Sequence, residues 1–538
     1  MTRSLSRRRL LRTGTAAALG LSLPLRHPSA ATTSKGGILK VAADTEPRNL
    51  NPAIVASNGV FFVASKVVEP LAEQAFAPNG APIGQVPRLA TGWEGAPDGR
   101  SVRLTLRQGV TWHDGQPFDS RDVAFTALEV WRKLQNLGQV VFASLEAVDT
   151  PDAATAILRF AQPVPFQLFR NAMPALTSVL PRHLYEGGDI MTNPANKQPV
   201  GTGPFRFVEH KEGDYYRLER HVGYWQQDQP YLDGILYRVL PDKGAIAAAL
   251  ETGDIDVAAF SAVSLADIDR LTQQEGMQVD QEGYEALTYQ VMIEINHRRK
   301  ELADVRVRRA IAFAVDRKQV ADTIFMGRAT PATGPVPRSD AQFFEESVPH
   351  YAFDPAMAER MLDEAGYPRG ADGKRFSLSL LPAPWFEQTL QMGDYLKQAL
   401  ARIGIEAIIT VLDPAAHQQA VYTDHRFDLA IGSPAYRNDP GISTTILYKS
   451  GIPAGVPFSN QYGYADTLMD NIIAQAAAAT DPIMRITVFQ RFQKYAGLQL
   501  PIIPVVDFTM LTTARPNVRG IAANPRWAVS NWADTWLA

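Results

Sequence analysis

"FSLSLLPAPWFEQTLQMGDYLKQALARIGIEAIITVL", residues 376–412, decides how the second half of this chain folds. An alternating run, FSLSLL, leads into a long helical stretch, FEQTLQMGDYLKQALARIG, and the chain resumes as the β-branched run IEAIITVL. A strand, a crossing helix and a second strand are the unit of a parallel sheet. The pattern continues on both sides. Upstream, YQVMIEIN (289–296) reads as a strand, and Asp304 is placed to cap the helix VRVRRAIAFAVDRKQVADTIF, which stops at Gly327. In DPAMAERMLDEAGYP (354–368), Asp354 takes the N-cap and Pro355 the first turn. Ala358, Met361, Leu362 and Ala365 share a face, and Gly366 and Pro368 end the helix. Downstream come the strand FDLAIG, the helices ADTLMDNIIAQAAAA and PIMRITVFQRFQKYAGLQ, and the strand-like PIIPVVDF. The series predicts an α/β region with a largely parallel sheet and helices on its faces.

The first part of the chain is richer in strands and turns. Residues 101–134 alternate through Val102, Leu104 and Leu106, turn at Asp114-Gly115, and enter a helix near Asp119 or Ser120 whose apolar face is expected to include Ala124, Leu128 and Trp131. GTGPF (201–205) reads as a plain turn before the strand FRFVEH, followed by YLDGILYRVLPD and a helix ending at ALETGDID. No repeat, low-complexity tract or Gly/Ser linker separates the two regions. If the second region begins at a strand near residue 290 and the chain returns by another near 505, two strands join the regions, and two crossing strands make a hinge.

A chain of 538 residues is too long for one ordinary core, and 46% hydrophobic with 20% charged residues is ordinary for a folded soluble protein. There is no cysteine, which excludes disulfides, thiolate metal sites, a Cys nucleophile and a lipidated N-terminal Cys. The first residues, SRRRLLR then TGTAAALGLSLPL then SAA, have the basic, apolar and small-residue order of an export signal over residues 1–31, cleaved near Ala31. Arg7 and Arg8 followed by Leu10, Leu11 and Arg12 resemble a twin-arginine signal. The apolar run falls short of the roughly 20 residues a bilayer span needs. Six of the 53 basic residues and none of the 56 acidic ones lie in this segment, so the mature chain carries 47 against 56, a net charge of −9. That balance is not one for nucleic-acid or anionic-membrane binding.

Catalytic signatures are missing. No two of the nine histidines stand three to five residues apart, and there is no G-x-S-x-G, G-x-x-x-x-G-K-[ST] or G-x-G-x-x-G. Carboxylate pairs such as Asp254 and Asp256 sit in polar loops with no sign of the burial that separates two pKa values. No metal and no cofactor is expected.

Eight blocks, in order, resemble the solute-binding proteins of family 5, the dipeptide, oligopeptide and nickel receptors of bacterial ABC importers. They are NLNPAIVASNGVFFVASKVVEPL, RLATGWEGAPDGRSVRLTLRQGVTWHDGQPFDSRDVAF, GTGPFRF, LDGILYRVLPD, GDIDV, DVRVRRAIAFAVDR, DPAMAERMLDEAGY and LPIIPV. The resemblance implies a two-lobed periplasmic binding protein of type II, cluster C-like, with a two-strand hinge. Lobe I would comprise residues 36–290 and 505–538, with an extra subdomain at about 70–195, and lobe II residues 291–504. It implies a monomer that captures a small-molecule solute, is not an enzyme, and hands the solute to an inner-membrane ABC permease complex. Within WHDG, His113 reads as a hydrogen-bonded structural residue. The competing reading, a secreted hydrolase or cofactor-dependent enzyme, draws only on the twin-arginine resemblance.

In α/β sheets ligands lie beyond the carboxyl ends of the strands, which points to two loops of the second lobe, PAPWFE after Leu381 and SPAYRNDP after Gly432. Trp385 and Tyr436 are the expected apolar walls with polar tips, and Arg437 the expected cation. Asn58 and Phe61 of the first lobe, with Asp439 and Tyr448, complete the candidate ligand-binding set. Peptide receptors of the family resemble one another in an early Trp in this loop and an Asp that pairs with the ligand ammonium. Here Ser433 stands at the Trp and Tyr436 at the Asp. A phenol does not replace a carboxylate facing a buried ammonium, so either Asp439 takes that role or ordinary peptides are poor ligands. Arg437 suits an anionic group.

Overall fold

Two sheets, each sandwiched between helices, carry the chain in a computed structural model that describes residues 34–538 except 56, 77–81, 274–275, 281–283, 285–286 and 522–526. The proposed export segment lies outside the described residues. The first sheet runs Gln278–Asp280, Thr512–Ala514, Val257–Ala258, Ile38–Ala43, Gly234–Val239, Tyr215–Arg220 and Phe205–Lys211, so both ends of the chain contribute to it. The second runs Ala329–Pro331, Ile502–Phe508, Tyr289–Ile295, Leu429–Gly432, Phe376–Pro382 and Ile405–Ile409.

The second sheet is mixed, where the sequence predicted a largely parallel one. Only Leu429–Gly432, Phe376–Pro382 and Ile405–Ile409 pair in parallel. The central strand Tyr289–Ile295 is antiparallel to both its neighbours. Connectivity is the reason: the chain enters the second lobe along this strand and leaves along the adjacent Ile502–Phe508. Neighbouring strands that carry a chain in and out must oppose each other.

Strand Tyr289–Ile295 is buried along its whole length. Val291, Ile293 and Ile295 face a core shared with helices Val305–Phe313, Pro355–Glu364 and Glu387–Arg402. Met292 faces the other core, built on helices Thr467–Ala478 and Pro482–Gln499. The period of two thus serves two apolar layers at once. A separate core belongs to the subdomain, where Ala90–Gly95, Ser101–Leu106, Thr155–Phe160 and Leu145–Asp152 form an antiparallel sheet around Trp112, Trp131, Phe142 and Phe169.

Helix ends follow the sequence closely. Asp354 accepts from Met357 N at 2.8 Å, and Gly366 turns left-handed at φ +90°. Asp304 accepts from Arg306 N at 2.8 Å. The helix it starts is divided, because Asp316 caps a second one, Arg317–Thr323, through Gln319 N at 2.9 Å. Asp119 opens Ser120–Phe125 with a capping box, but the continuation Thr126–Trp131 is a π-turn. The wider turn rotates the buried face to Val123, Ala127, Val130 and Trp131, leaving Ala124 and Leu128 only partly buried.

GTGPF is more than a turn. A Cβ on Gly201 would stand 1.8 Å from Val67 O, so backbone passes against backbone there. His113 closes the same junction, its Nε2 2.9 Å from Gly203 O. Burial pushes its pKa down to about 4. Among the described residues no helix is long and apolar enough to cross a membrane.

Candidate functional site

The loop 433–440 is built onto the hinge. Its first strand ends at Gly432, where a Cβ would come 2.2 Å from Glu294 Oε1, so no larger residue fits without displacing that carboxyl. Tyr436 N donates to Thr288 O at 2.7 Å and Gln290 N to Pro434 O at 3.1 Å, which ties the loop to the strand connecting the lobes. Asn438 then adopts φ +58°, and Asp439 caps the short helix Pro440–Ser443.

Successive side chains of the loop go to different places. Tyr436 turns into the second lobe's core, 4% exposed, and its hydroxyl donates to Asp340 Oδ2. Burial pushes the Asp340 carboxyl up to about 6, against the pull of that phenol and of the backbone N–H of Phe343 and Gln342. Arg437 is partly buried, and lost hydration pushes its pKa down while the nearby Tyr289 phenol opposes the shift. Arginine remains a cation under such a shift. Asp439 is fully buried and forms a two-pronged ion pair with Arg485, Nη1 to Oδ2 at 2.7 Å and Nη2 to Oδ1 at 2.6 Å. It also accepts from Gly441 N at 2.8 Å and from Asn171 Nδ2 at 3.1 Å. These donors satisfy its charge, so the shift of Asp439 into an amine-anchoring role has no support in the geometry.

At Tyr289, close to Arg437, the lobes meet. Asn58 Nδ2, from the helix Asn58–Ala64 of the first lobe, donates to the hydroxyl of Tyr289. The Tyr289 ring stacks on Phe508 at 5.4 Å and meets Phe386 edge-on at 5.5 Å. Phe61, one turn beyond Asn58, belongs to no core cluster but lines a small cavity with Val68, Glu73, Pro174, Val529 and Ser530. Trp385 is partly buried, donating from Nε1 to Ser433 Oγ at 3.2 Å and packing edge-on to His417 at 5.0 Å. An indole from the neighbouring loop thus stands beside Ser433, the loop's first residue. Tyr448 lies apart from Asn58 and Phe61. It is packed against Phe492 at 5.1 Å and lines a second-lobe cavity with Arg317 and His350.

The structure therefore joins Asn58 to Tyr289 at the junction, with Arg437 near that phenol, sets Trp385 against the loop's first residue, and sends Tyr436, Asp439 and Tyr448 inward. Sequence reasoning missed Tyr289, Phe386 and Phe508. The two-strand hinge was a usable signal, since Tyr289 and Phe508 pair across the two connecting strands. Asp340 and Arg485 carried no local signal.

Tyr436 is committed to Asp340. Replacing it by Asp sets a second carboxylate beside Asp340 and removes a buried ring. Tyr436→Asp is expected to lower the melting temperature by on the order of 10 °C at pH 8. The loss should be smaller at pH 5, where Asp340 is protonated. Melting curves at the two pH values check this, and an equal loss at both would contradict it.

Comparisons with known proteins agree with this architecture. Residues 84–468 match the family described as bacterial extracellular solute-binding proteins, family 5 Middle. The glutathione-binding protein GsiB of Salmonella typhi is 28% identical over 448 residues, covering 81% of this chain and 83% of that protein. The structure of NikZ from Campylobacter jejuni in complex with Ni(L-His) superposes with a TM-score of 0.79 at 20% identity, over 90% of this chain and 96% of the other. The oligopeptide-binding protein AppA of Bacillus subtilis, in complex with a nonapeptide, gives 0.79 at 22% identity, over 94% and 100%. These relatives are binding proteins, and the enzyme alternative finds no support among them. The chain belongs to the bacterial extracellular solute-binding proteins of family 5 and is the solute-binding component of an ABC importer.

Proposed function

We propose that the protein captures a small solute bearing a carboxylate or comparable anionic group, held by Arg437 at the junction of the lobes beside Asn58 and Tyr289. The observation that carries this reading is the division of labour in the loop. Its acid, Asp439, is buried on Arg485, and its one cation, Arg437, lies near the Tyr289 phenol that accepts the Asn58 hydrogen bond joining the lobes. Tyr289, Phe386 and Phe508 supply an aromatic wall for the apolar part of such a solute. Trp385 and Phe61 extend it on either lobe. Glutathione, L-histidine and peptides, named with the relatives, all carry a carboxylate, which fits the reading.

Residues 36–290 with 505–538 form lobe I, the subdomain spans about 70–195, and residues 291–504 form lobe II. Ile502–Phe508 pairs wholly within the second sheet, which favours a return to lobe I just after Phe508, a few residues later than the expected 505. Closure of the lobes shifts with ligand only by its differential affinity for the two forms. The mature protein works as a periplasmic monomer, exported by the twin-arginine route and cleaved near Ala31.

Thermal-shift screening of small molecules, followed by calorimetry on the hits, tests the proposal. Compounds with a carboxylate are expected to dominate the hits, and Arg437→Met to weaken them about 100-fold, the effect of losing one partner of a desolvated charge pair. Unchanged affinity in that variant would overturn it.

A further inference from the structure

The segment that carries Arg437 continues across the gap between the lobes. Ile442, 1% exposed, belongs to the hydrophobic core of the first lobe's subdomain together with Leu168, Phe169 and Ala172 of the helix Phe166–Leu176. A Cβ on Gly441 would lie 2.9 Å from Arg485 Nη2 and in ordinary contact, 3.4 Å, with Leu168 Cδ1, so the two helices lie against each other at this point. On the same helix, Asn171 donates from Nδ2 to Asp439 Oδ2 at 3.1 Å and lies 3.5 Å from Asn438 O. Leu168 and Asn171 are one turn apart and so share a face. A second touching point is Thr480, whose Cγ2 would be 3.0 Å from a Cβ on Gly99 of the subdomain. Among the described residues one ion pair joins the lobes, Arg328 with Asp269 at 2.6 Å; it is partly exposed and of the kind that contributes little.

We propose that Ile442 and Asn171 form a latch: they are positioning residues that draw the ligand loop, and the second lobe with it, onto the subdomain even before a solute arrives. The inference rests on the two-lobed receptor reading and adds a role for the subdomain. Arg437 is connected through Asn438 and Asp439 to the latch, so the loop is placed by a contact that never meets the solute. Ligand affinity is then set by two separable contributions, the contacts at Arg437 and the closed population maintained by the latch.

The absence of native cysteine makes the test direct. Val222→Cys and Val411→Cys, at exposed sites on lobes I and II, accept spin labels for a distance measurement on the full, ligand-free protein. With the latch intact, a short-distance population is expected. Asn171→Ala with Ile442→Ser should move most of it to longer distances, and Ile442→Val should restore it. Thermal unfolding of each variant confirms that it is folded. If the double variant is unfolded, Asn171→Ala alone, at a partly exposed site, is read in its place, with a smaller shift in the same direction. A distance distribution unchanged by these substitutions would overturn the latch, as would an intact latch showing only the long distance. No solute takes part, so these outcomes are independent of the anionic-ligand proposal.

Discussion

Asp439→Ala is expected to destabilise the protein by ~3–5 kcal/mol, the cost of leaving one partner of a buried pair without its counter-charge. Arg485 is 1% exposed, its guanidinium lies 4.8 Å from the centre of the Phe489 ring and 5.3 Å from that of Phe343, and its two η-nitrogens are spent on Asp439. Water has no access to replace the lost carboxylate. The variant would also lose the cap of Pro440–Ser443 and the acceptor for Asn171. Removing both charges is different, since neither is then left without its counter-charge and the rings of Phe343 and Phe489 line the site: Asp439→Leu with Arg485→Met should recover much of the stability. Chemical denaturation of the two single variants and the double measures this. A double variant as unstable as the sum of the singles would show that the pair does not act as a unit.

Glu294→Gln is expected to stabilise the protein by about 3 kcal/mol at pH 8 and by little at pH 4. Glu294 is 3% exposed on the central strand, and burial pushes its carboxyl up from 4.5 to about 7. Because the folded-state value lies above the unfolded one, the folded protein keeps a proton that the unfolded chain releases. Stability therefore falls as pH rises from about 4.5 to 7 and is level beyond. Asp507, pushed up to about 7 by burial despite a 2.7 Å hydrogen bond from Gln290 Nε2, acts in the same direction. The amide of Gln keeps the shape against Gly432 and has no charge to bury. Denaturation from pH 4 to pH 8 should show the curves of native and variant protein diverging upward in pH. Parallel curves would mean that Glu294 is ionised without penalty.

These two sites mark the boundary of what the sequence discloses. Local signals were legible: Asp354-Pro355 to Gly366 begins and ends a helix as written, and Asp119 and Asp304 cap where expected. Alternation located the strands, and the hinge followed from where they begin and end. What the sequence hides is pairing at a distance. Asp439 and Arg485 are 46 residues apart and Asp340 and Tyr436 are 96 apart, and nothing in either neighbourhood names the other. The antiparallel central strand was hidden for a related reason, because strand direction depends on connectivity and not on composition. The π-turn after Phe125 rotated a helix face that ideal periodicity had placed elsewhere. Gln290 and Glu294 in YQVMIEIN suggested no more than polar positions in a strand. They are buried because the second lobe covers both faces of its sheet.

Capture of an anionic solute at Arg437, and its release unaltered, can be read by native mass spectrometry of the protein purified without added ligand, followed by identification of the compound freed on unfolding. An intact molecule bearing an acidic group is expected, absent from Arg437→Met prepared in the same way. A bound compound without any acidic group, one recovered chemically changed, or equal occupancy in the variant would contradict it.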